Sequence, residues 1–168
     1  YKGIELFGKT LGLIGFGRIG RELAKKAKAL GMKVIYNDIL GPAKDCPEYS
    51  FVSPDKLLAD SDFISLHVPG NKDKSPVIGK LEFSKMKDGA YLINCARGSV
   101  VDEVALLEAL NSGKFAGAGI DVFPEEPTKN LELVNHEKVS VTPHIGASTK
   151  EAQKRIGAEV VSIIKENF

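Results

Sequence analysis

The chain has 168 residues, 43% of them hydrophobic and 27% charged, with a formal charge of +1. That is one ordinary domain with enough apolar material for a core, and its near-neutral charge excludes a nucleic-acid or membrane partner held by bulk electrostatics. No apolar run is long enough to span a bilayer, and no secretory leader is visible.

The chain opens on Tyr1 rather than Met, as a fragment or excised domain does, and Tyr1 to Gly8 is expected to lead into a first strand. Leu11, Leu13 and Ile14 form a short apolar run that breaks into Gly15-Phe16-Gly17-Arg18-Ile19-Gly20. Leu23, Ala24, Ala27 and Leu30 follow at helical spacing, with Gly31 where a C-terminal cap belongs. Strand, glycine turn and helix in that order make a dinucleotide unit. Gly15 permits the tight turn, Gly17 lets the backbone approach a pyrophosphate, and Gly20 lets the helix close on its strand. The phosphates would sit on the helix N-terminus, where free N–H groups favour negative charge. Lys33 to Asp38 reads as a second strand ending in an acid about 20 residues past the loop. Asp38 can accept from the adenosine ribose, and its charge would repel a 2′-phosphate, so NAD is the cofactor expected.

Beyond Asp38, Gly41 to Pro47 is rich in turn residues and Glu48 to Val52 reads as a short edge strand. Ser53-Pro54-Asp55 starts a helix with a cap, a proline and a first-turn acid. Asp62 to Val68 is a buried type of strand, and after a polar loop Ser75-Pro76 is expected to open another helical piece. Ala90 to Asn94 is the next strand. Asp102 caps a helix to Asn111, with Leu106, Leu107 and Leu110 inward and Gly113 past its end. Phe115 to Val122 and Lys138 to Thr142 are the last strands. Ser148 and Glu151 fit a capping box ahead of an amphipathic helix carrying Ala152, Ile156, Val160 and Ile163. The alternation predicts an α/β fold: a single doubly wound parallel sheet of the Rossmann type, with about six or seven strands.

In such sheets ligands bind beyond the carboxyl ends of the strands. Those ends carry the glycine loop, Asp38, His67-Val68, Arg97, Asp121 with Glu126 just after it, and His144. The set suits hydride transfer at a small-molecule 2-hydroxy or 2-oxo acid. Arg97 can clamp a carboxylate by two parallel hydrogen bonds. His144 can give a proton to the carbonyl oxygen or take it back, and Glu126 would favour its imidazolium. Asp121 is placed to accept from a nicotinamide carboxamide. Taken singly, Arg97 also reads as a surface arginine, Glu125-Glu126 as a solvated pair, and His67 as a satisfied strand-end histidine. Cys95 has no base nearby in sequence and reads as packing rather than as a nucleophile. Neither Cys46 nor Cys95 has a partner at metal spacing, so no metal site is expected, and both read as reduced thiols of a cytoplasmic protein.

Four stretches resemble the D-isomer-specific 2-hydroxyacid dehydrogenases: LGLIGFGRIGRELA, LINCARGSVVDEVALLEAL, AGAGIDVFPEEP and TPHIGASTKEAQ. The last, continued to GASTKEAQKRIG, is more similar to phosphoglycerate-acting members than to lactate- or formate-acting ones. The resemblance implies that Arg97 holds the substrate carboxylate, Glu126 pairs with the histidine and His144 is the proton donor. It implies pyrophosphate contacts at Arg18 and Ile19, and further cofactor lining at Val68, Cys95, Ala96, Asp121, Ile145, Gly146 and Ala147. It also implies that residues 1–168 are the NAD-binding domain alone, without the family's substrate-binding domain, and that this domain forms a homodimer. Ser99 stands where members commonly have a second glycine. Corepressor members that sense the nucleotide leave a binding module as the alternative to an enzyme.

Overall fold

Thr10–Ile14 forms the first strand, β1, of a seven-stranded sheet in the computed structural model, which describes residues 3–167. Tyr1 and Lys2, the start of the expected lead-in, lie outside the described residues. β1 runs into the helix α1 (Arg18–Ala29) and then β2 (Lys33–Asn37). The edge strand is β3 (Ser50–Phe51), and the helix α2 (Pro54–Asp60) leads to β4 (Phe63–Leu66). Then come α3 (Lys80–Lys85), β5 (Ala90–Asn94), α4 (Glu103–Asn111) and β6 (Phe115–Ile120). The short α5 (Leu131–Val134), β7 (Val139–Val141) and α6 (Lys150–Asn167) complete the chain.

All strand pairs are parallel, in the order β3-β2-β1-β4-β5-β6-β7. Connections run outward on one side from β1 and on the other from β4. A crevice therefore opens where their directions part, directly above the turn that follows β1.

The side-chain alternation of β1 separates the two cores. Leu11 and Leu13 pack with Ala24 and Ala27 of α1 and with Tyr36 of β2. Gly12 points to the other face, where a Cβ would lie 2.1 Å from Ser61 Oγ and 2.9 Å from the Leu57 side chain, so α2 closes directly onto the strand. The larger core lies there, with Leu57, Ile64, Leu66, Leu92, Leu106, Leu110 and Phe115 essentially inaccessible. Each such side chain contributes about 1.5–3 kcal/mol by leaving water. Ser53 and Asp102 cap α2 and α4 as expected, Ser53 Oγ accepting from Lys56 N at 3.3 Å and Asp102 from Val104 and Ala105 N at 3.0 Å.

Two local expectations are corrected. No helix starts at Ser75-Pro76. Val77 N and Ile78 N donate to Val100 O instead, which holds the segment extended until Gly79, where Glu82 accepts from the Gly79 N–H and opens α3. The cap of α6 is Thr149, whose hydroxyl accepts from Ala152 N at 3.1 Å, not Ser148. The apolar stripe of α6 is present, yet none of its residues is buried.

Candidate functional site

Gly15 follows β1 at φ +94°, a backbone that side-chain-bearing residues rarely adopt, and a Cβ there would sit 2.4 Å from His67 O. At Gly20 a Cβ would meet Gly15 O at 2.5 Å, so α1 can start only this close to the turn without one. Gly17 differs: its backbone is ordinary and nothing lies within 4 Å of an added Cβ. The chain has left clear the space over this residue. No side chain caps α1, and no acid stands in its first turn, so the positive end of the helix is unanswered by the protein. These features fit a dinucleotide pyrophosphate. Arg18 and Ile19, both exposed, flank the space, Ile19 at 70%.

Asp38 lies beside this turn, its Oδ2 accepting from Phe16 N at 2.7 Å and its Oδ1 from Leu40 N at 2.9 Å. It also lines a cavity of about 250 Å³ together with Gly15, Ile39, Leu58, Val68 and Ile78, an apolar slot of the kind that takes a purine. His67 closes β4 on the far side, where Ser65 Oγ lies 2.9 Å from its Nε2. Burial holds the His67 pKa below its ordinary value. The folded state therefore binds fewer protons there than the unfolded chain. Its contribution is complete above the unfolded value of about 6.5 and is lost as pH falls through it toward the folded value. Replacing His67 by glutamine is expected to flatten the loss of thermal stability between about pH 7 and 5, readable in melting curves across that range. An unchanged slope would assign the loss to other groups.

Beyond β5, β6 and β7 the remaining candidates share one rim, because Asn94, Ile120 and Val141 are aligned across the sheet. Arg97 is exposed three residues past Asn94. Asn94 is buried and shapes that turn, its amide donating to Arg97 O at 3.0 Å and its Oδ1 accepting from Ala96 N at 3.1 Å. Cys95 opens to solvent between them. Burial by its surroundings and the Asp121 charge raise its thiol pKa, which disfavours the reactive thiolate.

Asp121, only 4% exposed, is the organiser of the His144 loop. Its Oδ1 accepts from Thr142 Oγ1 at 2.5 Å and from Ile145 N at 2.8 Å, and its Oδ2 accepts from Gly146 N at 3.0 Å. Burial alone would raise the carboxyl pKa, but these bonds and the neighbouring His144 outweigh it and hold it below the ordinary value. His144 itself is at φ +54°, a strained backbone for a non-glycine residue and one frequent at functional sites. Its Nδ1 is 2.8 Å from Glu126 Oε2, while Glu126 Oε1 accepts from Phe123 N at 3.1 Å. The His144 hydrogen bond, helped by Phe123 N–H, keeps the Glu126 pKa low, so the carboxylate is ionised near neutrality. Ala147 is tied in by Gln153, whose amide donates to its carbonyl at 3.1 Å.

Asn94 and Thr142 are functional supports that the sequence reading passed over. Asn94 is a buried polar residue at the end of β5 that has to find partners, and Thr142, exposed just past β7, serves the buried Asp121. No group of three or more metal-binding side chains occurs among the described residues, and no helix of theirs is long and apolar enough to cross a membrane.

Residues 1–146 match the family model described as D-isomer specific 2-hydroxyacid dehydrogenase, NAD binding domain. The chain is 51% identical to a hydroxypyruvate reductase of Thermotoga maritima over 98% of its own length and 55% of that protein's. It is 46% identical to a D-3-phosphoglycerate dehydrogenase of Methanocaldococcus jannaschii over 99% of its length, but only 32% of the relative's. Among solved structures it superposes on a D-lactate dehydrogenase of Aquifex aeolicus, complexed with NAD and lactic acid, with a TM-score of 0.89 and 41% identity, covering 98% of this chain and 54% of that one. The chain thus spans about half, or less, of these proteins. The open space at Gly17, the uncapped helix and the histidine–carboxylate pair on one rim therefore agree with the match along the sequence: the chain belongs to the D-isomer-specific 2-hydroxyacid dehydrogenases, as an NAD-binding domain.

Proposed function

We propose that this chain is the cofactor-binding part of a D-3-phosphoglycerate dehydrogenase, which interconverts 3-phosphoglycerate and 3-phosphohydroxypyruvate at the entry to serine synthesis. The observation that carries the reading is the His144–Glu126 pair at 2.8 Å, set on the same rim as Arg97. NAD supplies the hydride acceptor, and NADH the donor. The protein handles the carboxylate and the proton. Arg97, exposed at the rim, forms the bidentate clamp on the substrate carboxylate. Glu126 engages Nδ1 of His144 and leaves Nε2 for the substrate oxygen, to which it delivers a proton in reduction and from which it takes one in oxidation. The GASTKEAQKRIG segment and the phosphoglycerate dehydrogenases among the relatives support this substrate.

The 51% identity to a hydroxypyruvate reductase favours a second reading, glycerate and hydroxypyruvate. Residues beyond this chain read the substrate's far end in either case. The chain alone is therefore expected to bind NADH and to turn over little. The proposal includes a cytoplasmic enzyme and a homodimer formed through this domain, the latter checked by sedimentation.

The deciding measurement is NADH oxidation by the full-length protein that carries this chain, with 3-phosphohydroxypyruvate and hydroxypyruvate compared by kcat/KM. A preference for the phosphorylated acid of at least about tenfold, or 1.4 kcal/mol in the transition state, is expected. A reversed preference establishes the second reading, and reduction of neither acid overturns both.

A further inference from the structure

Phe16, the residue between the first two glycines of the loop, is gripped on every side. Asp38 accepts from its N–H. Its ring stacks on Tyr36 at 3.8 Å between centroids and meets Tyr49 edge-on at 5.6 Å. Its carbonyl accepts from Arg21 Nε at 3.0 Å, and the same guanidinium stands 5.4 Å from the ring centroid. Arg21 Nη1 then donates to Asp45 Oδ2 at 2.5 Å, on the loop between β2 and β3, and lies 3.4 Å from Cys46 Sγ. A second tie holds that loop, since Ala43 N donates to the Tyr36 hydroxyl at 2.7 Å. Between the loop and the glycine turn is a cavity of about 500 Å³ lined by Gly17, Arg18, Arg21, Asp38, Gly41 and Pro42. Asp38 stands in the wall between this cavity and the apolar slot described above.

We infer that Arg21 is a positioning residue for the adenosine half of the dinucleotide, acting as a latch between the glycine turn and the β2–β3 loop. The carboxylate meant for the ribose is the one that holds Phe16 N–H, so Asp38 points correctly only while Phe16 is fixed. Arg21 fixes it from the carbonyl side and anchors the loop that carries Leu40 and Gly41 next to Asp38. With the latch open, Asp38 keeps the Phe16 N–H and its local bonds, Leu40 N to Oδ1 and Gly41 N to its carbonyl at 3.0 Å, and the loop keeps Ala43 on Tyr36, but the Asp45 anchor and the grip on the Phe16 carbonyl are lost. Binding then includes the ordering of a loose loop, which lowers affinity without removing any contact to the ligand.

The inference rests on reading the Gly15–Gly20 loop as the cofactor site. The test is calorimetric titration of this chain with NADH and with ADP-ribose, comparing wild type with Asp45→Ala, Arg21→Ala, Arg21→Lys and the double alanine variant. Asp45 is 70% exposed, so its removal is expected to leave the melting temperature nearly unchanged. Both single alanine variants are expected to weaken NADH and ADP-ribose alike, by about five- to tenfold, and the double variant no more than Arg21→Ala alone. Arg21→Lys, which keeps the charge toward Asp45, should recover part of the loss. Wild-type affinity in Asp45→Ala, or losses that add in the double variant, would overturn the latch. A wild-type chain that takes up no NADH would overturn the loop assignment as well.

Discussion

Gly17→Asp is expected to leave this domain as stable as the wild type, or slightly more so, while its affinity for NADH falls by about two orders of magnitude. The two effects separate because the position is constrained only by the ligand. Its backbone, φ −77° and ψ −160°, is open to any residue, and no protein atom meets an added Cβ. Aspartate is a preferred N-cap, better than glycine by a few tenths of a kcal/mol, and its charge complements the helix dipole. The same carboxylate would occupy the pyrophosphate space and repel it, a penalty of about 3 kcal/mol or a hundredfold in affinity. Gly15→Ala should behave in the opposite way. Its φ of +94° and the 2.4 Å approach to His67 O make the protein itself resist a Cβ, so about 3 kcal/mol of stability is lost before any ligand is added. Melting curves and NADH titrations on the two variants check both statements. If Gly17→Asp bound NADH like the wild type, the phosphates would not pass over this residue.

The second large effect concerns the proposed proton donor. In the full-length enzyme, His144→Asn is expected to lower kcat by about 10²–10⁴, the range for losing a positioned general acid. Substrate KM should change little, because Arg97 supplies the carboxylate contact. Glu126→Gln should cost less, about tenfold to a hundredfold, since glutamine can still meet Nδ1 and hold the ring in place. Stability has its own sign. The Asp121 and Glu126 pKa values both lie below the ordinary ones, so their contributions are complete above the unfolded values of about 3.9 and 4.3 and vanish as pH falls through the folded ones. Protonating these two carboxylates should loosen the His144 loop, which they hold by hydrogen bonds. An unaltered kcat in His144→Asn would remove this residue from the chemistry.

The amino-acid sequence by itself determined what depends on neighbours along the chain. The strand–turn–helix at Gly15–Gly20, the caps at Ser53 and Asp102, and the strand Ala90–Asn94 all follow from spacing and local hydrogen bonding, which act over a few residues. The common rim of Asp38, Arg97, Asp121 and His144 also followed, because a parallel sheet brings every strand's carboxyl end to one edge.

Only the tertiary structure decided which groups meet on that edge. The partners of Asp121 lie 21 to 25 residues away, Arg21 and Asp45 are 24 apart, and Phe16 and Asp38 are 22 apart. No periodicity encodes such pairs. The same holds where local rules erred: Val77 and Ile78 bond to Val100, more than twenty residues on, so a segment that opens like a helix stays extended. Strand and helix signals are local energies read from a few residues. A hydrogen bond between distant side chains exists only after packing has fixed both ends, and this site is built from such bonds.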